Sequence, residues 1–260
     1  MPIPPQPLQF IHNIEELAFH AWPAAEVQIV DGWRLRFTHG TTRRANSVWP
    51  NSTGQALPLD DKLDLVEEFY TRRGLPPRYQ ICAAAQPVDL DAVLERRGYV
   101  ADAFTSVQVA DLAGILAATS ARPTEPIALD EALNANWFGA YCQVEHVAEH
   151  EAEMRRGILG RIALPTAYVS LAHEGRTIAT GLGVLEHGWV GIFSMATAQD
   201  YRRRGAATAI LRALAEWGSD HSARNLYLQV MRHNTPARAL YERVGFRTLY
   251  EYHYREGRSL

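Results

Sequence analysis

The 260-residue sequence predicts an α+β protein of two tandem units, each a mixed, mostly antiparallel twisted sheet flanked by helices. Three observations lead there. Strand-like and helix-like patterns alternate in two series, separated by a small-residue, proline-containing stretch at 114–126 (GILAATSARPTEP). The closing thirds of the two series are similar: RYQIC, a helix, then LERRGYV and SVQV stand beside LYLQV, a helix, then YERVGFR and YEYHYR. Gly98 and Gly245 lie 147 positions apart, and the same offset maps Tyr79 onto Leu226. Third, Glu174-Gly175 and His187-Gly188 punctuate three strand-like runs as hairpin turns. The predicted domains are 1–115 and 123–260.

Residues 1–9 are proline-rich and predicted to be an extended arm. Asn13 is a candidate N-cap for a helix through His20, closed by Pro23. Strands follow at Val27–Val30, Trp33–Thr38 and Arg44–Trp49, divided by Asp31-Gly32 and His39-Gly40. Asp60 is a candidate cap for a helix through Arg73, ended by Gly74 and two prolines. Arg78–Ala83 reads as a strand, Asp89–Arg97 as a helix stopped by Gly98, and Phe104–Val109 as a strand. In the second series a helical region runs from about Ala128 to Gly160. Strands at Thr166–Ala172, Thr177–Leu185 and Trp189–Thr197 come next, then an amphipathic helix with Ile210, Leu211, Leu214 and Trp217 on one side. A strand at Asn225–Val230, a helix at Thr235–Val244 and a strand at Thr248–Tyr254 close the chain.

A net charge of −3 argues against a general nucleic-acid or membrane-surface partner. Any functional positive charge must be local. The cysteines, Cys82 and Cys142, are far apart and in no metal-ligand spacing, which suits a reducing cytosol. The first residues show no signal-peptide pattern, and no run approaches a membrane span. The reading is a soluble, cytoplasmic protein.

The chemistry concentrates in FSMATAQDYRRRGAATAILRALAEW, residues 193–217. An apolar strand passes through a basic, glycine-containing turn into a helix. The first N–H groups of a helix have no partner within it, and the helix dipole adds partial positive charge there. Gly205 lets a ligand approach the backbone, Ala206 and Ala207 keep the entrance narrow, and Arg202, Arg203 and Arg204 supply charge. The product is an anion cradle suited to a diphosphate. Downstream, HNTPARALYERVGF places Asn234, Ala237 and Tyr241 on an N-x-x-A-x-x-x-Y pattern. Asn234 can donate and accept hydrogen bonds to an amide-bearing ligand, and Tyr241 can turn its hydroxyl toward the same cleft.

Over about Pro126 to Arg255 these residues resemble the GCN5-related N-acetyltransferase (GNAT) family. YRRRGAATAIL is similar to that family's pyrophosphate loop, and NTPARALYERVGF to its second cofactor motif. The resemblance implies two GNAT-like units, acetyl-CoA as acyl donor and an amine as acceptor. Met195, Ala196 and Thr197 would bond the pantetheine arm through their backbone, one N–H polarising the thioester carbonyl. Arg202 would open the loop, the amides of Arg203 through Ala207 would hold the diphosphate, and the Thr208 hydroxyl would add to them. Asn234 would contact pantetheine, and Tyr241 would protonate the leaving thiolate. The amine would attack directly in a ternary complex.

The first series has no such loop. Ahead of its helix it reads STGQALPLDDKLDL, and Pro87 and Leu94 stand opposite Asn234 and Tyr241, so the N-terminal copy reads as degenerate. A general base is unassigned: Trp189–Phe193 contains no carboxylate, and Glu186, Glu145 and His146 are the candidates. Trp137, Phe138 and Tyr141 line the acceptor pocket in the family arrangement or simply pack the core. His146 and His150 share a helical face, but no HExxH pattern is present and no metal is expected. The acceptor is expected to be a small molecule. The competing reading is a non-catalytic acyl-CoA-binding or protein-interaction module with the same fold.

Overall fold

A computed structural model describes residues 7–54, 56–119 and 125–258. The first series forms α1 (Leu8–Ala21), β1 (Glu26–Val30), β2 (Trp33–Phe37), β3 (Val48–Trp49), α2 (Leu59–Thr71), β4 (Arg78–Ile81), α3 (Leu90–Arg96), β5 (Val100–Asp111) and α4 (Leu112–Ala118). The second forms β6 (Ile127–Asp130), α5 (Ala135–Glu145), α6 (Glu149–Gly160), β7 (Thr166–His173), β8 (Arg176–Glu186) and β9 (Trp189–Thr197). A 3-10 turn at Gln199–Tyr201 leads to α7 (Ala206–Asp220), β10 (Asn225–Met231), α8 (Thr235–Arg243) and β11 (Arg247–Glu256). No helix among the described residues is long and apolar enough to cross a membrane.

The chain forms two compact units: Met1–Ser106 with Met231–His233 and Tyr250–Leu260, and Val107–Val230 with Asn234–Leu249. The sequence suggests contiguous halves at 1–115 and 123–260; the units are instead discontinuous. β5 begins in the first unit and ends in the second, and β11 does the reverse.

In the first unit, α1 buries Ile11, Ile14, Leu17, Ala18 and Ala21, the stripe a 3.6-residue period puts on one face. It starts at Leu8 behind Pro7, ahead of the predicted cap at Asn13, whose Oδ1 accepts from Gln9 Nε2 inside the helix at 2.9 Å. Residues 1–6 of the expected arm lie outside the described residues. β1 and β2 pair antiparallel through a turn whose Asp31 and Gly32 both have positive φ (41° and 86°). β2 pairs antiparallel with β3, and β3 pairs parallel with β4 through Val48 and Tyr79. The C-terminal half of β11 pairs antiparallel with β4, His253 opposite Ile81 and Glu256 opposite Arg78. β3 is shorter than the predicted Arg44–Trp49 because Asn46 organises a turn there. Its Oδ1 accepts from the Thr38 and Gly40 amides (2.7 and 3.0 Å), and its Nδ2 donates to the Thr41 and Thr42 carbonyls (2.7 and 2.9 Å). α2 follows Pro58, not the predicted cap Asp60, which lies in its first turn.

The second unit opens with the end of β5 and continues into α4, formed in part from residues read as linker; 120–124 lie outside the described residues. The predicted helical region from Ala128 starts one element late, since Ile127–Asp130 pairs with β7 as an edge strand. The sheet order is β10-β9-β8-β7-β6, antiparallel except for the parallel pair β9–β10. Both hairpin turns have the expected backbone, with positive φ at Glu174-Gly175 and at His187-Gly188. α7 covers the sheet with Ile210, Leu211, Leu214 and Trp217, which join Val190, Ile192, Leu226 and Leu228 in the main core. Gly181 permits this approach: a Cβ there would sit 2.4 Å from Ile210 Cγ2 and 2.8 Å from Met195 Sδ.

Strand senses repeat between the units. Two antiparallel pairs (β1–β2–β3, β7–β8–β9) are each followed by a helix and a parallel pair (β3–β4, β9–β10).

Candidate active site

The site begins with an irregularity in β9. Thr180 pairs with Ala196 and Leu182 with Phe193, so two residues, Ser194 and Met195, face Gly181 alone. This is a β-bulge. Ser194 takes a φ of 49°, which L residues rarely adopt, and its carbonyl accepts from Thr180 Oγ1 at 3.3 Å. On the other side of β9, ladder pairing with β10 runs from Trp189–Asn225 to Ile192–Leu228 and stops. Met195, Ala196 and Thr197 therefore have no ladder partner on the β10 side. Because β9 and β10 are parallel neighbours, the segments leaving their C-terminal ends emerge at the same edge. Those segments are the loop into α7 and the turn into α8.

The loop is held by short-range bonds. The Ala198 amide donates to the Ile178 carbonyl at 2.8 Å, and Arg202 Nε donates to the Thr197 carbonyl at 3.3 Å. Arg203 (φ 61°) and Gly205 (φ 86°) are both left-handed, which turns the backbone amides inward. Gly205 is the N-cap of α7, with no side chain capping it, so the amides of Ala206, Ala207 and Thr208 begin the helix without side-chain acceptors. A Cβ at Gly205 would meet nothing within 4 Å, so open space lies in front of the cradle. Gln199, Asp200, Arg202, Arg203 and Arg204 line a shallow depression, with Arg204 Cζ 5.3 Å from the Tyr201 ring centroid. The arginines are solvent-exposed and Ala206 is buried.

Asn234 caps α8, its Oδ1 accepting from the Ala237 amide at 3.2 Å. That bond fixes the side-chain oxygen and leaves the NH2 group as its donor to a ligand. Tyr241, one face further along α8, is 8% exposed and packs edge-on against Phe246 at 5.7 Å. Burial pushes its phenol up to about 12. The turn after it closes with the Phe246 amide on the Tyr241 carbonyl at 2.9 Å and Gly245 at a φ of 109°.

Over the bulge lies α5. Trp137, Phe138 and Tyr141 are buried, with Trp137 Nε1 on the Val169 carbonyl at 2.9 Å and the Trp137 and Tyr141 rings stacked at 5.3 Å. Val144 packs on Ala196 and Ala198 at the end of β9. Burial raises the carboxyl of Glu145, while Arg155, Arg202 and His146 pull it down. Its side chain reaches the surface, so the desolvation is partial. Glu186 sits across from Trp189, eight residues and so about 26 Å from Thr197 along the strand. It is remote from the loop. Among the described residues no group of three or more His, Cys, Asp or Glu is placed to hold a metal. Sequence reasoning missed Thr180 and Ser194, since neither residue type signals a bulge.

A family model described as "Probable histone acetyltransferase Rv0428c C-terminal" matches residues 9–255. The uncharacterised N-acetyltransferase YobR of Bacillus subtilis is 29% identical over 245 residues, covering 94% of this chain and 98% of YobR. The structure of a GCN5-related N-acetyltransferase from Kribbella flavida superposes with a TM-score of 0.70 at 11% identity, over 95% of this chain and 94% of that one. A tandem GNAT protein from the clavulanic acid biosynthesis pathway gives 0.58 at 13% identity, over 81% and 75%.

Proposed function

The chain belongs to the GCN5-related N-acetyltransferase family, and from that premise we propose that it moves the acetyl group of acetyl-CoA to a primary amine by direct attack in a ternary complex. One observation carries this: the β9–β10 ladder stops at Ile192–Leu228, and the free end of β9 leads through the basic loop into the uncapped start of α7. The exposed backbone of Met195, Ala196 and Thr197 suits the amides of a pantetheine arm, and one of these N–H groups faces the carbonyl that gains charge during attack. Arg202, Arg203, Arg204 and the amides through Ala207 take the diphosphate, with Thr208 alongside. The Asn234 NH2 group meets pantetheine, and the Ala237 amide stays with its cap. Tyr241, kept protonated by burial, hands its proton to the leaving thiolate.

The second unit carries the reaction, and the first is a degenerate GNAT-like copy, a division that the halves 123–260 and 1–115 approximate along the chain. Three features support that division. Strand senses repeat, the sequence between β3 and α2 holds no arginine or lysine, and beyond Val48–Tyr79 the Gln86 amide bonds the Pro50 carbonyl at 2.7 Å. That bond bridges the segments following β3 and β4, where the ladder of the second unit has stopped. The acceptor is a small amine, and the protein works in the cytoplasm without a metal.

The test is thermal unfolding with acetyl-CoA, with ATP as control and Gly205→Glu in parallel. At a hundred times its dissociation constant acetyl-CoA adds about 2.7 kcal/mol, a rise of several degrees, which ATP should not match and the charged variant should lose. A melt unmoved by acetyl-CoA would sink the proposal. A shift with no amine consumed would instead indicate a non-catalytic acyl-CoA-binding module.

A further inference from the structure

We infer that the segment joining β3 to α2 is an anion cradle that the chain fills with its own Asp31 carboxylate, a built-in plug that keeps the first unit from taking the phosphate groups of a ligand. The plug stands without the proposed reaction; its consequence, one acyl-CoA per chain, rests on that reading.

The position follows from the strand senses. β3 pairs antiparallel with β2 and parallel with β4, as β9 does with β8 and β10. The segment between β3 and α2 thus holds in the first unit the place that the basic loop holds in the second. Each unit also has an acidic residue and a glycine in a hairpin turn, Asp31-Gly32 and Glu174-Gly175. Glu174 is exposed, whereas the Asp31 side chain is only 7% exposed and meets the chain's own loop. Its Oδ1 accepts from the Ala56 amide at 3.0 Å, and its buried Oδ2 lies 3.5 Å from Lys62 Nζ. Lys62, near the start of α2, has a side chain 5% exposed, covers the Trp33 ring at 4.0 Å and donates to the Asp31 carbonyl. A loop amide, a buried cation and a helix start are the parts of an anion site, and the anion in this one is Asp31. The fit is close. A Cβ at Gly54 would sit 1.9 Å from Asp31 Oδ1, and one at Gly32 would sit 3.0 Å from the Gly54 nitrogen, so turn and loop meet backbone to backbone. The Ala56 amide holds the Asp31 carboxyl below the usual carboxylate range, against partial desolvation and with Lys62 adding, so the plug is charged at neutral pH. A second anion would meet that charge, with Asp60 and Asp61 following in the first turn of α2.

Asp31→Ala empties the cradle and leaves Lys62 buried without its counter-charge. In chloride the variant should melt several degrees below the parent. Formate or inorganic phosphate at equal ionic strength should recover much of that loss while moving the parent far less. Adding Lys62→Met to Asp31→Ala should abolish the recovery. The unaltered protein gives a second measurement that needs no variant to fold: its Ala56 amide should exchange with solvent at least about tenfold more slowly than in an unstructured peptide. Exchange at the unprotected rate would overturn the plug, as would anions that stabilise variant and parent alike, or a recovery that survives Lys62→Met. Titration of the parent with acetyl-CoA should give one site per chain, and two sites would likewise overturn it. A parent that binds no acetyl-CoA would defeat the proposed function, while exchange and anion recovery would still decide the plug.

Discussion

Two kinds of residue make this site, and only one is visible in sequence. Gly205, Asn234 and Tyr241 are: each belongs to a spacing whose chemistry depends on residue type, and the structure puts Gly205 and Asn234 at the N-caps of α7 and α8 and Tyr241 in the last turn of α8. Ser194 is not, because a left-handed φ is signalled by glycine or asparagine and here falls on a serine. Tyr141 reads as either a pocket-lining or a core residue, and its bond from Arg155 Nη1 at 2.7 Å is visible only in the structure. Tyr241→Phe should lower kcat about a hundredfold with acetyl-CoA affinity unchanged, the usual span of a lost general acid. The pH dependence has a definite sign. A phenol raised to about 12 stays protonated throughout the neutral range, so it sets no alkaline limb there. Under the proposed reaction the rising limb of kcat/KM would belong to the amine shedding its proton, and Tyr241→Phe should leave its position unchanged. The same shift contributes stability that is complete below pH 10 and is lost as pH climbs toward 12.

Elements were legible where turns and periodicity agreed. β7, β8 and β9 match expectation within a residue or so because acidic or histidine-glycine pairs close both hairpins, and α7 because its apolar stripe is uninterrupted. β3 is shorter than its pattern suggests because the Asn46 side chain substitutes for a strand partner, and α1 begins ahead of Asn13 because no capping side chain marks its first turn. The packing of α7 on β8 depends on the absence of a side chain at Gly181. Gly181→Ala forces a methyl against Ile210, which is fully buried, and against Met195, which is partly buried. The expected cost is about 1–3 kcal/mol in denaturant unfolding, partly recovered by adding Ile210→Val. An unchanged midpoint would mean that the helix yields.

At the level of the molecule, no sequence pattern reveals which strands become neighbours, because local periodicity carries no information about a partner more than a hundred and fifty residues away. β4 is completed by the end of β11. Tyr250 also donates to the buried carboxylate of Glu15 at 2.6 Å, which accepts as well from Gln80 (2.7 Å) and Trp49 (3.1 Å). Arg255 closes on Asp91 at 2.7 Å. Without 250–258 the first unit loses a strand and leaves Glu15 short of a donor, a buried defect of about 1–3 kcal/mol beyond the lost strand. Residues 1–115 alone should therefore give no cooperative thermal transition by near-ultraviolet circular dichroism, whereas the whole chain should. A sharp melt from the fragment would contradict this. The arrangement also has a consequence in time. During synthesis the ribosome delivers residues 7–106 long before residues 250–258, so the half made first must wait, one strand short, until nearly everything else has been translated. A pause late in the message would prolong that exposed interval far more than the same pause placed near its middle.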